Sequence, residues 1–297
     1  MGPLAVGSPF HEGTEGSEGI EPPKVLVSVD MEGVSGIVHT SEVNPDRYDY
    51  ERGRALMTAE ANAVVAGVLD AEPAADVLVA DAHGPFRNLL PEQMDRRARL
   101  VRGKPRPLGM VAGLDGDIDA VLLIGYHARA GAGPGVIAHT MSGEVLDVRV
   151  DGRSLGEIGL NGALAGHFGV PVVMLSGDDV ACAEFEELVP SAVGVAVKEA
   201  VAGSAAVTLH PEEARERLRA AAAEAVGRRA HVPPLVLDGP LTVEVDMLSP
   251  FSVDLALLVP GVSRAEGGRT VVFAAADFAE AHRLVLLLVQ LASIKPG

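Results

Sequence analysis

Three carboxylates and two imidazoles in this chain are spaced as if for a shared task. They are Asp30 and Glu32 in "SVDMEG", His83 in "DAHG", His127 in "GYHA" and Glu157 in "GEIG". Carboxylate and imidazole together suit zinc and related first-row divalent cations. Five such ligands exceed what one open catalytic zinc needs. They fit two metals that share a bridging carboxylate about 3.5–4 Å apart, as in dinuclear hydrolases. The spacing carries no local signature such as HExxH, so a hydrogen-bonded polar cleft is the competing reading of the same residues. His139, in the glycine-rich stretch "GPGVIAHTMSG", is a sixth candidate. It follows His127 closely enough to reach the same place, and the glycines let backbone approach a ligand. The remaining histidines, His11, His39, His167, His210, His231 and His282, stand in polar or helix-surface contexts and read as solvated.

The elements that must position these side chains are apolar strands with polar ends. "KVLVSVD" (24–30), "DVLVADAHG" (76–84), "DAVLLIGYHA" (119–128) and "PVVMLSGDD" (171–179) are four such runs. Side chains two apart on a strand share a face, which would project Asp30 and Glu32 together. Their mutual repulsion then calls for something between them: a metal, an Arg or Lys, or water at an open edge. Helical signals occupy 50–70 and "SLGEIGLNGALAGHFG". The alternation predicts an α/β fold with a mainly parallel sheet flanked by helices. In such sheets ligands bind beyond the carboxyl ends of the strands, where Asp30, Glu32, Asp81, His83, His127, Asp178 and Asp179 all fall. Beyond residue 200 the texture changes to a charged helix (210–230), an alternating strand "LTVEVDML", and a strand followed by a long terminal helix. The expected division is a disordered tail (1–23), an α/β metal-binding domain (24–200) and a smaller C-terminal α+β segment (201–297).

Bulk properties exclude several classes. The formal net charge is −17, which disfavours nucleic acid and anionic membrane as partners. Cys182 is the single cysteine, so neither an internal disulfide nor a cysteine zinc site can form. It reads as a small buried hydrophobe, and a reducing, cytoplasmic home is expected. No secretory signal opens the chain, and "LVLLLVQLA" is too short to span a bilayer. No G-x-S-x-G elbow, Walker A or G-x-G-x-x-G pattern is present. "GLDGDIDA" lacks the full calcium-loop ligand pattern and reads as a turn.

Taken in order, "SVDMEGVSG", "YERGRALMTAEANA", "DAHG", "GYHARAG…PGVIAHTMSG", "GEIGLNGALAGHFGVPVVMLSGDD" and "LVPGV" resemble the bacterial D-aminopeptidase family of zinc peptidases (M55). The resemblance covers Lys24 to Ala292. It implies a dinuclear zinc amide hydrolase in which Asp30, Glu32, His83, His127 and Glu157 match metal ligands. His139 matches a histidine with a catalytic rather than ligating role. It further implies two zinc ions per subunit, a homodecameric assembly, and release of N-terminal D-amino acids from short peptides or amino-acid amides. The nucleophile expected from this is a water acidified by the metals, with His139 shuttling protons or stabilising the oxyanion. One position departs: Gly203 stands in "VKEAVAGSAA" where that family often carries Arg. The competing functions are a related metal-dependent amidase acting on a specialised small peptide or amide, and a non-enzymatic scaffold. The scaffold would be marked by lost ligands, and all five are present.

Overall fold

The computed structural model describes residues 21–265 and 267–295. The expected tail therefore lies outside the described residues as far as residue 20; residues 21–23 lead into the first strand without regular structure. In chain order the first strands are β1 (Lys24–Val29), β2 (Asp76–Asp81), β3 (Arg99–Val101), β4 (Ala120–Ile124), β5 (Val145–Val150) and β6 (Arg153–Ser154). They are followed by β7 (Val172–Asp178), β8 (Val193–Ala202), β9 (Ala205–Thr208), β10 (Leu241–Met247), β11 (Ser263–Arg264) and β12 (Thr270–Ala275). The helices are α1 (Tyr50–Ala71), α2 (Glu157–His167), α3 (Asp179–Leu188), α4 (Pro211–Gly227), α5 (Pro250–Ala256) and α6 (Phe278–Ala292).

A seven-stranded sheet has the order β3-β2-β1-β4-β7-β8-β9, parallel except for the β8–β9 hairpin at its edge. β1 is central because Val25, Leu26, Val27 and Val29 are apolar and fully buried, as a parallel strand covered on both faces requires. This is the α/β architecture the alternation predicts. A second, antiparallel sheet has the order β11-β12-β10-β5-β6 and carries α5 and α6. It draws β5 and β6 from residues 145–154, while α4, beyond residue 200, packs on α1 and on β7 and β8 of the first sheet.

The chain leaves β1 through α1 to pair β2 on one side of it, and later returns as β4 on the other side. That reversal opens a crevice beyond the ends of β1 and β4, the place where open α/β sheets take ligands.

One histidine is placed differently from the expectation. His282 is 1% exposed rather than solvated, because α6 turns its stripe of Phe278, Ala281, Val285 and Leu288 inward and His282 lies on that stripe. Neither ring nitrogen has a hydrogen-bond partner among the described residues, and burial pushes its pKa down to about 4. The unfolded chain takes up this proton near pH 6.5, whereas the folded chain resists until about pH 4. The stability from keeping His282 neutral is thus complete above pH 6.5 and is lost as pH falls towards 4. Urea unfolding of the metal-free protein should show it losing ~2–3 kcal/mol more than His282→Leu between pH 7 and 4.5. Equal losses in the two proteins would contradict this account.

Candidate metal centre

Asp30 and Glu32 do not project from a continuing strand. β1 ends at Val29, and residues 30–33 form a turn clipped to the end of β4. Asp30 N–H donates to the Ile124 carbonyl (2.7 Å) and Gly33 N–H to the Gly125 carbonyl (2.8 Å). The approach is so close that a Cβ at Gly33 would lie 1.9 Å from the Tyr126 carbonyl oxygen. Gly125 itself has φ +68°, which favours glycine. The turn, not strand alternation, aims both acids into the crevice. His83 follows the end of β2 by two residues, His127 follows β4, and Glu157 is the first residue of α2. Glu157 sits where unpaired N–H groups and the helix dipole favour an anion, although it also accepts from Met141 N–H (2.6 Å).

All five expected residues meet here, and His139 joins them. His83 Nδ1 lies 3.2 Å from Asp30 Oδ1 and 2.9 Å from Glu32 Oε2. His127 Nε2 lies 3.5 Å from Asp30 Oδ2 and 3.3 Å from Glu157 Oε1. His139 Nε2 lies 3.6 Å from Glu157 Oε1, and its ring stacks on that of His127 with centroids 4.0 Å apart. Each imidazole ties its other nitrogen to a carbonyl: His83 to Val43 (2.8 Å), His127 to Ala128 (3.0 Å) and His139 to Ile137 (2.9 Å). That is the usual arrangement of ligating histidines, because the outer N–H fixes the tautomer and leaves the inner nitrogen a lone pair. Asp30 Oδ2, Glu32 Oε2 and His127 Nε2 are buried without a hydrogen-bond partner. Such orphaned atoms are costly, and a divalent cation satisfies oxygen and nitrogen lone pairs together. Asp30, Glu32 and His127, and separately His127, His139 and Glu157, each bring one donor atom within 4.8 Å of the others. The residues present fit a metal centre.

The electrostatics agree with this. Burial, then the neighbouring Glu32, push the Asp30 carboxyl up to about 8. Burial also works against the charge on Glu32, but the adjacent His83 outweighs it and holds that carboxyl well below its ordinary value. Burial opposes a charge on His127, yet Glu157, helped by Asp30 and Glu32, pushes it up to about 10. Without metal, protons take up the positive charge that the acids demand.

The other strand-end acids serve the loops. Asp81 accepts from Asn88 and Leu89 N–H (2.5 and 2.8 Å) and so holds the loop after His83. Asp178 accepts from Val136 N–H (2.7 Å), anchoring the loop that carries His139, and Asp179 accepts from Ala200 N–H (2.7 Å). Gly203 also braces that loop, its carbonyl accepting from Ile137 N–H (2.9 Å), and a Cβ there would meet nothing within 4 Å. A residue the sequence reading missed is Lys198. Its side chain is buried, and Nζ donates to the carbonyls of Glu32 (2.5 Å), Val34 (3.1 Å) and Ile37 (2.6 Å). It fastens the turn behind Glu32. A lysine inside the apolar run "VGVAVKEA" was the available signal, since lysine is almost never fully buried without partners.

Asp30, Glu32, His83, His139 and Glu157 line a cleft of about 300 Å³ that also includes Phe86, Lys104, Met141 and Leu286. Its volume is at the small end of the ~300–1,000 Å³ range of ligand sites. Set beside known proteins, the chain matches the model of the M55 peptidase family, described as D-aminopeptidase, over residues 24–287. It is 38% identical over 269 residues to a D-aminopeptidase of Bacillus subtilis (strain 168), spanning 91% of this chain and 97% of that one. A solved structure described as the Zn-dependent D-aminopeptidase DppA from Bacillus subtilis, a self-compartmentalizing protease, superposes with a TM-score of 0.89. It is 36% identical, over 92% of this chain and 99% of that chain. With a family match that runs from β1 into α6 and takes in every residue of the cluster, the chain belongs to the M55 family of D-aminopeptidases.

Proposed function

We propose that this chain is a dinuclear zinc-dependent aminopeptidase that releases the N-terminal residue, of D configuration, from short peptides. The observation that carries the reading is the convergence of Asp30, Glu32, His83, His127 and Glu157 with both imidazole lone pairs turned inward. Asp30 would contribute to both metal positions, since Oδ1 faces His83 and Oδ2 faces His127. Glu32 and His83 would help hold one zinc, and His127 and Glu157 the other. Zinc held there would supply Lewis acidity towards the scissile carbonyl and lower the pKa of water.

The chain's own residues do the rest. His139 presents Nε2 to the cleft while the Ile137 carbonyl holds Nδ1–H. It is placed to take a proton from the attacking water at Nε2 and return it to the leaving amine. The small cleft admits a short peptide and excludes a folded chain. The D preference rests on similarity to the D-aminopeptidase of Bacillus subtilis, and self-assembly into a homo-oligomer on similarity to the solved self-compartmentalizing protease; the decamer is what the family resemblance implies. A cytoplasmic setting is consistent with the lone Cys182. No helix among the described residues is long and apolar enough to cross a membrane.

Matched D- and L-aminoacyl amides test the reading. The zinc-replete enzyme should hydrolyse the D series preferentially, lose activity on chelation and regain it with zinc. Turnover of neither series by the metal-replete chain, or equal turnover of both, would contradict it.

A further inference from the structure

One acid outside the ligand set is tied to it through the backbone. Glu184 lies on α3, where Glu186 and Glu187 are exposed but its own side chain is half-buried. Its Oε2 accepts from Arg129 N–H (2.9 Å). Its Oε1 is buried with no hydrogen-bond partner among the described residues. Taking a carboxylate out of water for a single amide is costly, so that amide needs a reason to hold it.

The reason lies at the other end of the same peptide group. Arg129 N–H and the Ala128 carbonyl belong to one planar, resonance-delocalised unit. The Ala128 carbonyl takes the Nδ1–H of His127 (3.0 Å), the hydrogen bond that leaves Nε2 its lone pair. The contacts therefore run from Glu184 through peptide 128–129 to His127. They end on Nε2, which faces Asp30 and Glu157. An anion on the N–H of a peptide shifts electron density towards its carbonyl oxygen, which then accepts more strongly; hydrogen bonds in series reinforce one another in this way. An imidazole gripped harder at Nδ1–H is a stronger donor to a cation at Nε2. A carboxylate bonded directly to a ligating histidine does the same, and here one peptide stands between them.

Packing holds the relay in place. A Cβ on Gly156, the residue before Glu157, would lie 2.5 Å from Arg129 Cβ and 2.9 Å from Glu184 Oε1. The missing side chain makes room for both. The other two imidazoles of the cluster lack the device. They use the Val43 and Ile137 carbonyls, and among the described residues no carboxylate accepts from the amides of those peptides, Asn44 N–H and Ala138 N–H.

We infer that Glu184 is a positioning residue for zinc, orienting His127 and strengthening its Nε2 as a ligand through the 128–129 peptide. The inference rests on the dinuclear reading above.

Stepwise zinc competition against a chromophoric chelator tests it on the full chain, alongside melting of the metal-free proteins. Wild type should show two bound zinc ions. Glu184→Gln keeps an oxygen for Arg129 N–H and removes the charge. Metal-free, it should melt with wild type. It should bind one of its two zinc ions ~10-fold more weakly, the low end of the ~10–100-fold cost of losing an outer partner of a ligating histidine. Glu184→Ala, which loses the hydrogen bond as well, should approach the upper end. His127→Ala should abolish the same binding step. Adding Glu184→Gln to it should leave the remaining zinc unchanged, because the relay acts only through His127. Both zinc ions held by Glu184→Gln as tightly as by wild type would overturn the inference. So would equal weakening of the two, or a further loss of the remaining zinc in the double variant. Fewer than two zinc ions on wild type would overturn the dinuclear reading and the inference together.

Discussion

Asp30→Asn should leave a folded chain with no measurable turnover and should lower bound zinc more than any other single change at the centre. Asp30 is the one carboxylate whose two oxygens face different histidines, His83 at 3.2 Å and His127 at 3.5 Å. The amide is nearly isosteric but neutral, and one of its ends is a donor that repels a cation. Misfolding is separable from ligand loss by an opposite sign. Burial and Glu32 push the wild-type carboxyl up to about 8, so metal-free wild type carries a buried group that resists ionisation. Removing it should leave the metal-free melting temperature unchanged or higher. The rise in melting temperature that wild type shows on adding zinc, which follows RT ln(1 + [L]/Kd), should largely vanish in the variant. Calorimetry with and without zinc reads both effects. An Asp30→Asn protein that keeps a full metal complement would contradict the assignment of Asp30 to both metal positions.

His139→Ala should behave in the opposite way, keeping its metal and losing its rate. His139 touches the cluster only through Glu157, at 3.6 Å, and through the stacked ring of His127. Its side chain remains 26% exposed to the cleft where His127 is 1% exposed, as a proton carrier requires and a structural ligand does not. Loss of an acid–base group costs ~10²–10⁴-fold in kcat. His127→Ala should instead lose zinc together with activity, because both Asp30 and Glu157 face its free nitrogen. Measuring kcat and zinc content on the same two preparations separates the roles. A His139→Ala protein that loses a zinc would make His139 a ligand, and one that is fully metallated and fully active would make it structural.

Much of this centre is legible in the sequence because parallel strands buried on both faces read as uninterrupted apolar runs. β1, β2, β4 and β7 are such runs, and Asp30, His83 and His127 follow three of them at once or within three residues. Residue type does not sort the remaining strand-end acids. Asp81 and Asp178 look like Asp30 in sequence, yet backbone N–H groups claim them for loops. Their roles depend on which distant segment packs against the strand end. The entry of β5 into the second sheet is hidden for the same reason. It is defined by pairing across the chain, as Val148 with Val245 illustrates. His282 had a local signal, its place on the Phe278–Ala281–Val285–Leu288 stripe of α6, which outranks the polarity of its immediate neighbours.

The central claim is that five side chains from separate elements together hold two metal ions. Elemental analysis of the zinc-replete, desalted protein tests it most directly, with chain concentration measured on the same sample. The account predicts two equivalents of zinc per chain, removable by chelator together with activity and restored together on readdition. One equivalent or less in a fully active preparation would contradict it.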